Sequence, residues 1–238
     1  MEVTPLSKLS RDYLDQLVMV IPLFKLVKQQ DVKQFELLLQ ASRILTYTAN
    51  EVVLRRGDND SWLYFLLKGR LAVYIEESSK KELVNYVTPG EVFGDLSQLV
   101  GQPRTATVIT EPNFRESMVL AMDSSIFSSV EPEAGVDVAG VYVKDAALNG
   151  RINVKTKLVY YRSVVHNLRW KLEVYRSQHL QHALANKHRK IKLYQGVKDT
   201  VDELHALYAQ AQELARLLLE WNYEFGALPP DLPSPSDE

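Results

Sequence analysis

Seven short runs, each rich in Val, Leu, Tyr or Thr, follow one another between residues 43 and 123. They are RILTYT, EVVLRR, SWLYFLLKG, RLAVYIEES, ELVNYVTPG, TATVIT and SMVLAMD. Turn-forming residues separate them: Asn50, GDND at 57–60, Gly69, SSKK at 78–81 and the Pro89-Gly90 pair. Strands this short, about ten residues apart, predict a β-barrel or sandwich with antiparallel pairing. Ahead of them, DVKQFELLLQAS (31–42) sets Val32, Phe35, Leu38 and Leu39 at helical spacing. Behind them, DSSIFSSV (123–130) reads as a helix capped by Asp123 or Ser124.

The texture then changes. Residues 131–153 carry one Pro and three Gly with no clean period, and read as a connector. From about Lys155 to Phe225 apolar residues recur at steps of three and four. Leu158, Tyr161, Val165, Leu168, Leu172 and Tyr175 form one such series. Val197, Val201, Leu204, Tyr208, Ala211, Ala215 and Leu218 form the other. This is the seam of paired helices or of a coiled coil. A break near ANKHRK (185–190) or at Gly196 makes it a helical hairpin. The closing GALPPDLPSPSDE reads as a disordered acidic tail.

Composition removes several classes of chemistry. There are no cysteines, which excludes disulfides, thiolate metal sites and cysteine nucleophiles. The apolar run LVMVIPLF is far short of a membrane span, and its Pro22 and the preceding RDYLD do not suit a secretory signal. A cytosolic location is expected. No G-x-S-x-G, P-loop, H-E-x-x-H or kinase signature is present, so no catalytic activity is expected.

Net charge is −2, but it is segregated. Residues 151–192 hold eleven Lys/Arg and one acid, Glu173, whereas 199–238 hold nine acids and one base, Arg216. One reading pairs the basic helix with the acidic one, in a hairpin or across a homodimer, and leaves some basic surface for an acidic partner. The other lays the basic block along a nucleic-acid backbone or an anionic membrane surface. His166, His179, His182 and His188 fall in the same block. His179 and His182 have the i, i+3 spacing of metal ligands, but no carboxylate or cysteine accompanies them. Solvated helix positions are expected, and no metal site.

The stretch FGDLSQLVGQPRTATV (93–108) sets Asp95 nine positions before Arg104 among small residues. A phosphate calls for backbone N–H groups at a helix start, close approach allowed by small residues, and an arginine fork. All three are available here. An acid beside a phosphate makes sense only if the ligand also donates a hydroxyl, as a ribose does.

The stretch resembles the phosphate-binding cassette of the cyclic-nucleotide-binding domain family, F-G-E-L-A-L-x-x-G-x-P-R-A-A-T-V. Phe93, Gly94, Leu96, Gly101, Pro103, Arg104, Ala106, Thr107 and Val108 stand as in that pattern. The resemblance runs over roughly 20–130: IPLFKLV is similar to the family's opening helix and RRGDNDSWLYFLLKGRLAVY to its G-D…Y-F-I…G-x-V core. It implies an α+β fold, an antiparallel, jelly-roll-like β-roll with flanking helices, here followed by the all-α hairpin or coiled-coil region. The implied organisation is N-terminal helices and roll (1–130), connector (131–153), helical dimerisation and output region (154–225) and Pro-rich tail (226–238).

The implied function is that of a cytosolic, bacterial sensor of a cyclic nucleotide, cAMP foremost. By position the implied ligand site comprises Phe93, Gly94, Asp95, Leu96, Ser97, Arg104, Thr105 and Ala106. Arg104 would meet the cyclic phosphate, and Asp95 falls where the family's ribose-binding glutamate stands. Asp95 is one methylene shorter than that glutamate, Gln98 replaces an apolar residue and Asn50 a glycine. Three outcomes stay open: an intact pocket, a pocket for another ligand such as a cyclic dinucleotide, and a pocket lost because Asp95 and Arg104 pair with each other. The winged helix-turn-helix that follows the roll in many bacterial members has no counterpart in 155–225, so DNA binding is not expected. A scaffold that needs no ligand is the reading from another class.

Overall fold

The computed structural model describes residues 1–77, 80–127 and 152–224. The connector, most of which lies in 128–151, and the tail from 225 onward fall outside the described residues. The elements run in the order β1 (Glu2–Thr4), α1 (Arg11–Val18), α2 (Pro22–Gln30), α3 (Val32–Gln40), β2 (Ser42–Thr48), β3 (Val52–Leu54), β4 (Trp62–Lys68), β5 (Leu71–Glu77), β6 (Lys80–Val87) and β7 (Val92–Phe93). There follow α4 (Asp95–Val100), β8 (Thr107–Thr110), β9 (Glu116–Asp123), α5 (Val154–Gln178), α6 (Lys187–Lys190) and α7 (Val201–Glu224).

The strands make two antiparallel sheets, ordered β1-β2-β9-β4-β7 and β3-β8-β5-β6. The interleaving of early and late strands is that of a β-roll. The first sheet explains why the runs LYFLL of β4 and MVLAM of β9 have no charged residue to break them. On β4, Tyr64 and Leu66 face the roll interior with Val119 and Ala121 of β9. Leu63, Phe65 and Leu67 face the other way, with Leu120 and Met122, into a core shared with the helices. Successive strand residues point to opposite faces, so a sheet buried on both sides needs both sets apolar.

That second core is continuous from Leu14 and Phe24 through Phe127 to Leu168 and Trp221. Ser10 caps α1 and Asp31 caps α3, each accepting from backbone N–H groups in the first turn. Pro22 opens α2 at a position whose missing N–H costs nothing. The 123–130 helix is shorter than the sequence suggests. Asp123 does accept from the Ser125 N–H (3.0 Å), but what forms is a 3-10 turn over Ser124–Phe127, and 128–130 lie outside the described residues.

Helices α5 and α7 form the expected hairpin within one chain. Asn153 caps α5 by accepting from the Thr156 N–H (2.9 Å). The break begins at His179 and lasts to Thr200, so it includes both ANKHRK and Gly196. Val197, assigned to the seam by its spacing, lies in this link and is 74% exposed. The α7 residues that pack inward include Leu204, Leu207, Ala211, Leu214, Leu218 and Trp221.

Charge pairing follows the hairpin reading in part. Arg162 of α5 binds Glu203 (2.6 Å) and Asp199 (2.9 Å), and Lys187 binds Glu220 (3.0 Å). The Arg162 hydrogen bond holds the Glu203 carboxyl below the usual carboxylate range. Other bases turn back on the lone acid of their own block: Glu173 takes Arg176, Arg189 and His188. Of the four histidines in the basic block, only His166 is an exposed position on a long helix. His188 is 3% exposed, and His179 and His182 lie outside the long helices with their rings 5.8 and 4.9 Å from that of Trp221. Among the described residues no helix is long and apolar enough to cross a membrane.

Candidate functional site

One turn fixes the geometry of the site. Between β7 and α4 the chain must reverse sharply enough to bring the start of α4 beside the strand it has just left. Gly94 does this with φ of 78°, and Gly101 closes α4 with φ of 66°. Both lie in the left-handed region that L-residues avoid. At Gly94 space is limiting as well, since a Cβ there would sit 2.7 Å from Arg104 Nη1 and 3.3 Å from Tyr64 Cδ2.

Gly94→Ala therefore combines backbone strain of about 1–2 kcal/mol with displacement of Arg104. Its unfolding midpoint is expected to fall. An unchanged midpoint in a thermal melt would contradict the close approach of Gly94 to Arg104.

Arg104 enters from the segment before β8 and is 4% exposed. All five of its N–H donors have protein acceptors. Nε donates to Asp60 Oδ2 (3.3 Å), and Nη2 to Asp60 Oδ1 and the Trp62 carbonyl (2.6 Å). Nη1 donates to the Gly94 carbonyl and to Ser97 Oγ (2.8 Å). One edge of the guanidinium thus meets a carboxylate, and the other meets only neutral oxygens. Its carbon also lies 5.5 Å from the ring centre of Tyr64, which stacks on Phe93. Burial pushes the Tyr64 phenol up to about 12, so it is uncharged there.

Asp95 is 2% exposed and does not pair with Arg104. Both of its carboxylate oxygens face Lys171 Nζ of α5, at 3.1 and 3.3 Å. The mutual pairing by which the pocket would have been lost is absent: the two charges have separate partners. Gln98 has a structural task, donating to the Asp60 carbonyl and accepting from Ser124 Oγ (3.1 Å). It anchors the loop that carries Asp60.

Phe93, Gly94, Asp95, Leu96, Ser97, Arg104, Thr105 and Ala106 all line one open cavity of about 210 Å³. Leu54, Val73, Val87 and Val108 make its apolar floor within the roll. Its remaining wall comes from the hairpin: Lys171 and Tyr175 of α5, Leu218 and Asn222 of α7. Tyr175 donates its hydroxyl to Asn222 Oδ1 (3.0 Å) and stacks on Trp221 at 5.5 Å. Sequence reasoning assigned none of these four residues to the ligand site, nor Asp60; Tyr175 and Leu218 it read as seam positions. Lys171 did carry a signal, since it lies three residues after Leu168 and four before Tyr175, on the apolar face of α5. A lysine on a face that otherwise packs inward asks for a partner.

Such a cavity offers a small anionic ligand a buried cation, two hydroxyls and an apolar bed for a flat group. Similarity to known proteins covers part of the chain. The chain is 27% identical over 118 residues to a cyclic nucleotide-gated potassium channel of Rhizobium etli, covering 50% of this chain and 31% of the channel. It is 31% identical over 70 residues to the cAMP-dependent protein kinase regulatory subunit of Dictyostelium discoideum, covering 29% of this chain and 21% of that protein. The matches thus span a third or less of these relatives' length. Among solved structures, the regulatory domain of Toxoplasma gondii PKA with cAMP superposes with a TM-score of 0.42 at 18% identity, over 50% of this chain and 44% of that one. Residues 44–130, which hold Asp60, the Gly94 turn and Arg104, match the family model of the cyclic nucleotide-binding domain.

Proposed function

We propose that the chain is a sensor that binds a 3′,5′-cyclic nucleotide, cAMP foremost, between the roll and the α5–α7 hairpin, and that occupancy is passed on through the hairpin. One observation carries this reading. Arg104 is buried at the cavity wall with its Nη1 edge held only by the Gly94 carbonyl and Ser97 Oγ. A cyclic phosphate can take those two donors from neutral acceptors while Nε and Nη2 stay on Asp60. Exchanging neutral for charged acceptors roughly doubles the strength of each bond. Ser97 and Thr105 add hydroxyl donors beside it, and the valines and Leu54 bed the base.

The hairpin is the element placed to respond, because α5 and α7 supply the far wall of the cavity. Ligand binding shifts the hairpin only by the difference in affinity between its docked and undocked states. Titration calorimetry on the full chain with cAMP and with cGMP tests the reading. Saturable heat with one of them is expected, and no heat with either nucleotide, from folded protein, would remove it.

A further inference from the structure

We infer that Lys171 is a ligand-binding residue of this pocket, and that Asp95 serves as its counter-ion rather than as the acceptor for a ribose hydroxyl. The inference rests on the cyclic-nucleotide reading above and assigns the anion a second cation, delivered by the hairpin. Three observations lead to it.

First, Asp95 is already engaged. Its side chain is 2% exposed, and both oxygens lie within 3.3 Å of Lys171 Nζ. For a ribose hydroxyl to take that place, a neutral donor would have to replace an ammonium at a buried carboxylate. That is an unfavourable exchange, because a buried charge needs its opposite charge more than it needs one hydrogen bond.

Second, Lys171 has capacity to spare. An ammonium carries three donors, and its protein contacts here are the two oxygens of one carboxylate. Its side chain is 34% exposed and lines the cavity beside Ser97, Thr105 and Ala106. Arg104, by contrast, has a protein acceptor for every donor.

Third, the charges balance only with the lysine present. Asp60 matches Arg104, and Lys171 matches Asp95. Glu91, at the cavity edge, is exposed and turned onto Thr88. Without Lys171 a buried carboxylate would face the incoming phosphate. With it, the same helix that closes the cavity also attracts the anion, so ligand binding and hairpin docking favour each other.

Calorimetry with cAMP on four proteins decides the matter: wild type, Lys171→Met, Asp95→Asn and the double variant. Lys171→Met is expected to bind roughly tenfold or more weakly. Asp95→Asn, which frees the ammonium, is expected to bind as tightly as wild type or more so. The double variant, with its charges balanced again, should recover part of the loss seen in Lys171→Met. Two results overturn the inference while leaving the cyclic-nucleotide reading in place. One is Lys171→Met binding as well as wild type or better, which would make the lysine a latch that competes with ligand. The other is Asp95→Asn binding about tenfold more weakly, which would make Asp95 the ribose acceptor. If Lys171→Met does not fold, Asp95→Asn alone still separates the two assignments. Absence of heat from wild type with both cAMP and cGMP removes the reading and the inference together.

Discussion

Arg104→Ala is expected to weaken cAMP binding by more than about a hundredfold and to lower the unfolding midpoint by roughly 5–15 °C. The two effects have one origin. Arg104 is 4% exposed and ties together three pieces of chain: the 58–62 loop through Asp60 and Trp62, the turn through Gly94, and α4 through Ser97. Removing it leaves these acceptors without their donor. Asp60 keeps 28% of its side-chain surface exposed, so water repairs part of the deficit and the cost stays near 2–4 kcal/mol. Binding suffers more, because among the described residues no other buried cation donates to Gly94 or Ser97.

Arg104→Lys should fall between, since a single ammonium has no fork with which to hold Asp60 and a phosphate at once. Calorimetry and a thermal melt check both expectations. An alanine variant that binds cAMP as wild type does would move the phosphate out of this cradle.

Much of this site is legible in the sequence, for a physical reason. The cradle is local: a left-handed glycine, a short helix and an arginine entering a strand all fall within sixteen residues, and local backbone demands restrict residue choice directly. Asn50 illustrates the same point. It stands where a glycine is expected and has φ of 61°, a conformation that asparagine tolerates better than most residues. Partners that meet through the fold leave weaker traces. Asp60 reads as one more turn residue in GDND, and Lys171 as one more base in a basic block. Only the packing of α5 brings Lys171 to Asp95, 76 positions away.

The same distinction governs the fold. The seven strand runs have apolar residues on both faces and are readable one by one. β1, three residues with Glu2 and Val3 exposed, and β7, with only Val92 and Phe93, are too short to show a period. Val197 has helical spacing, yet it lies where the chain turns between helices, because spacing alone does not mark where a helix begins.

The largest expected effect on the hairpin comes from Trp221→Ala. Trp221 is fully buried near the end of α7, stacked on Tyr175 and flanked by His179 and His182. Truncating a buried tryptophan costs about 3–5 kcal/mol, which for a chain of this size lowers the midpoint by roughly 6–20 °C. The loss should be local in the first instance. Tyr175 and Asn222, the hydrogen-bonded pair in the cavity wall, lose their support, whereas the roll interior around Leu66, Leu71 and Val119 touches none of these residues. Amide hydrogen exchange is therefore expected to quicken along 158–177 and 204–222 and to stay slow in β4, β5 and β9. Affinity for cAMP should fall along with hairpin docking, and saturating cAMP should slow hairpin exchange again by mass action on the docked state. Equal acceleration in roll and hairpin would show that the two open as one unit, leaving ligand no separable element to act on. Hairpin exchange that ignores cAMP, in a variant that still binds it, would show that occupancy is not passed through α5 and α7.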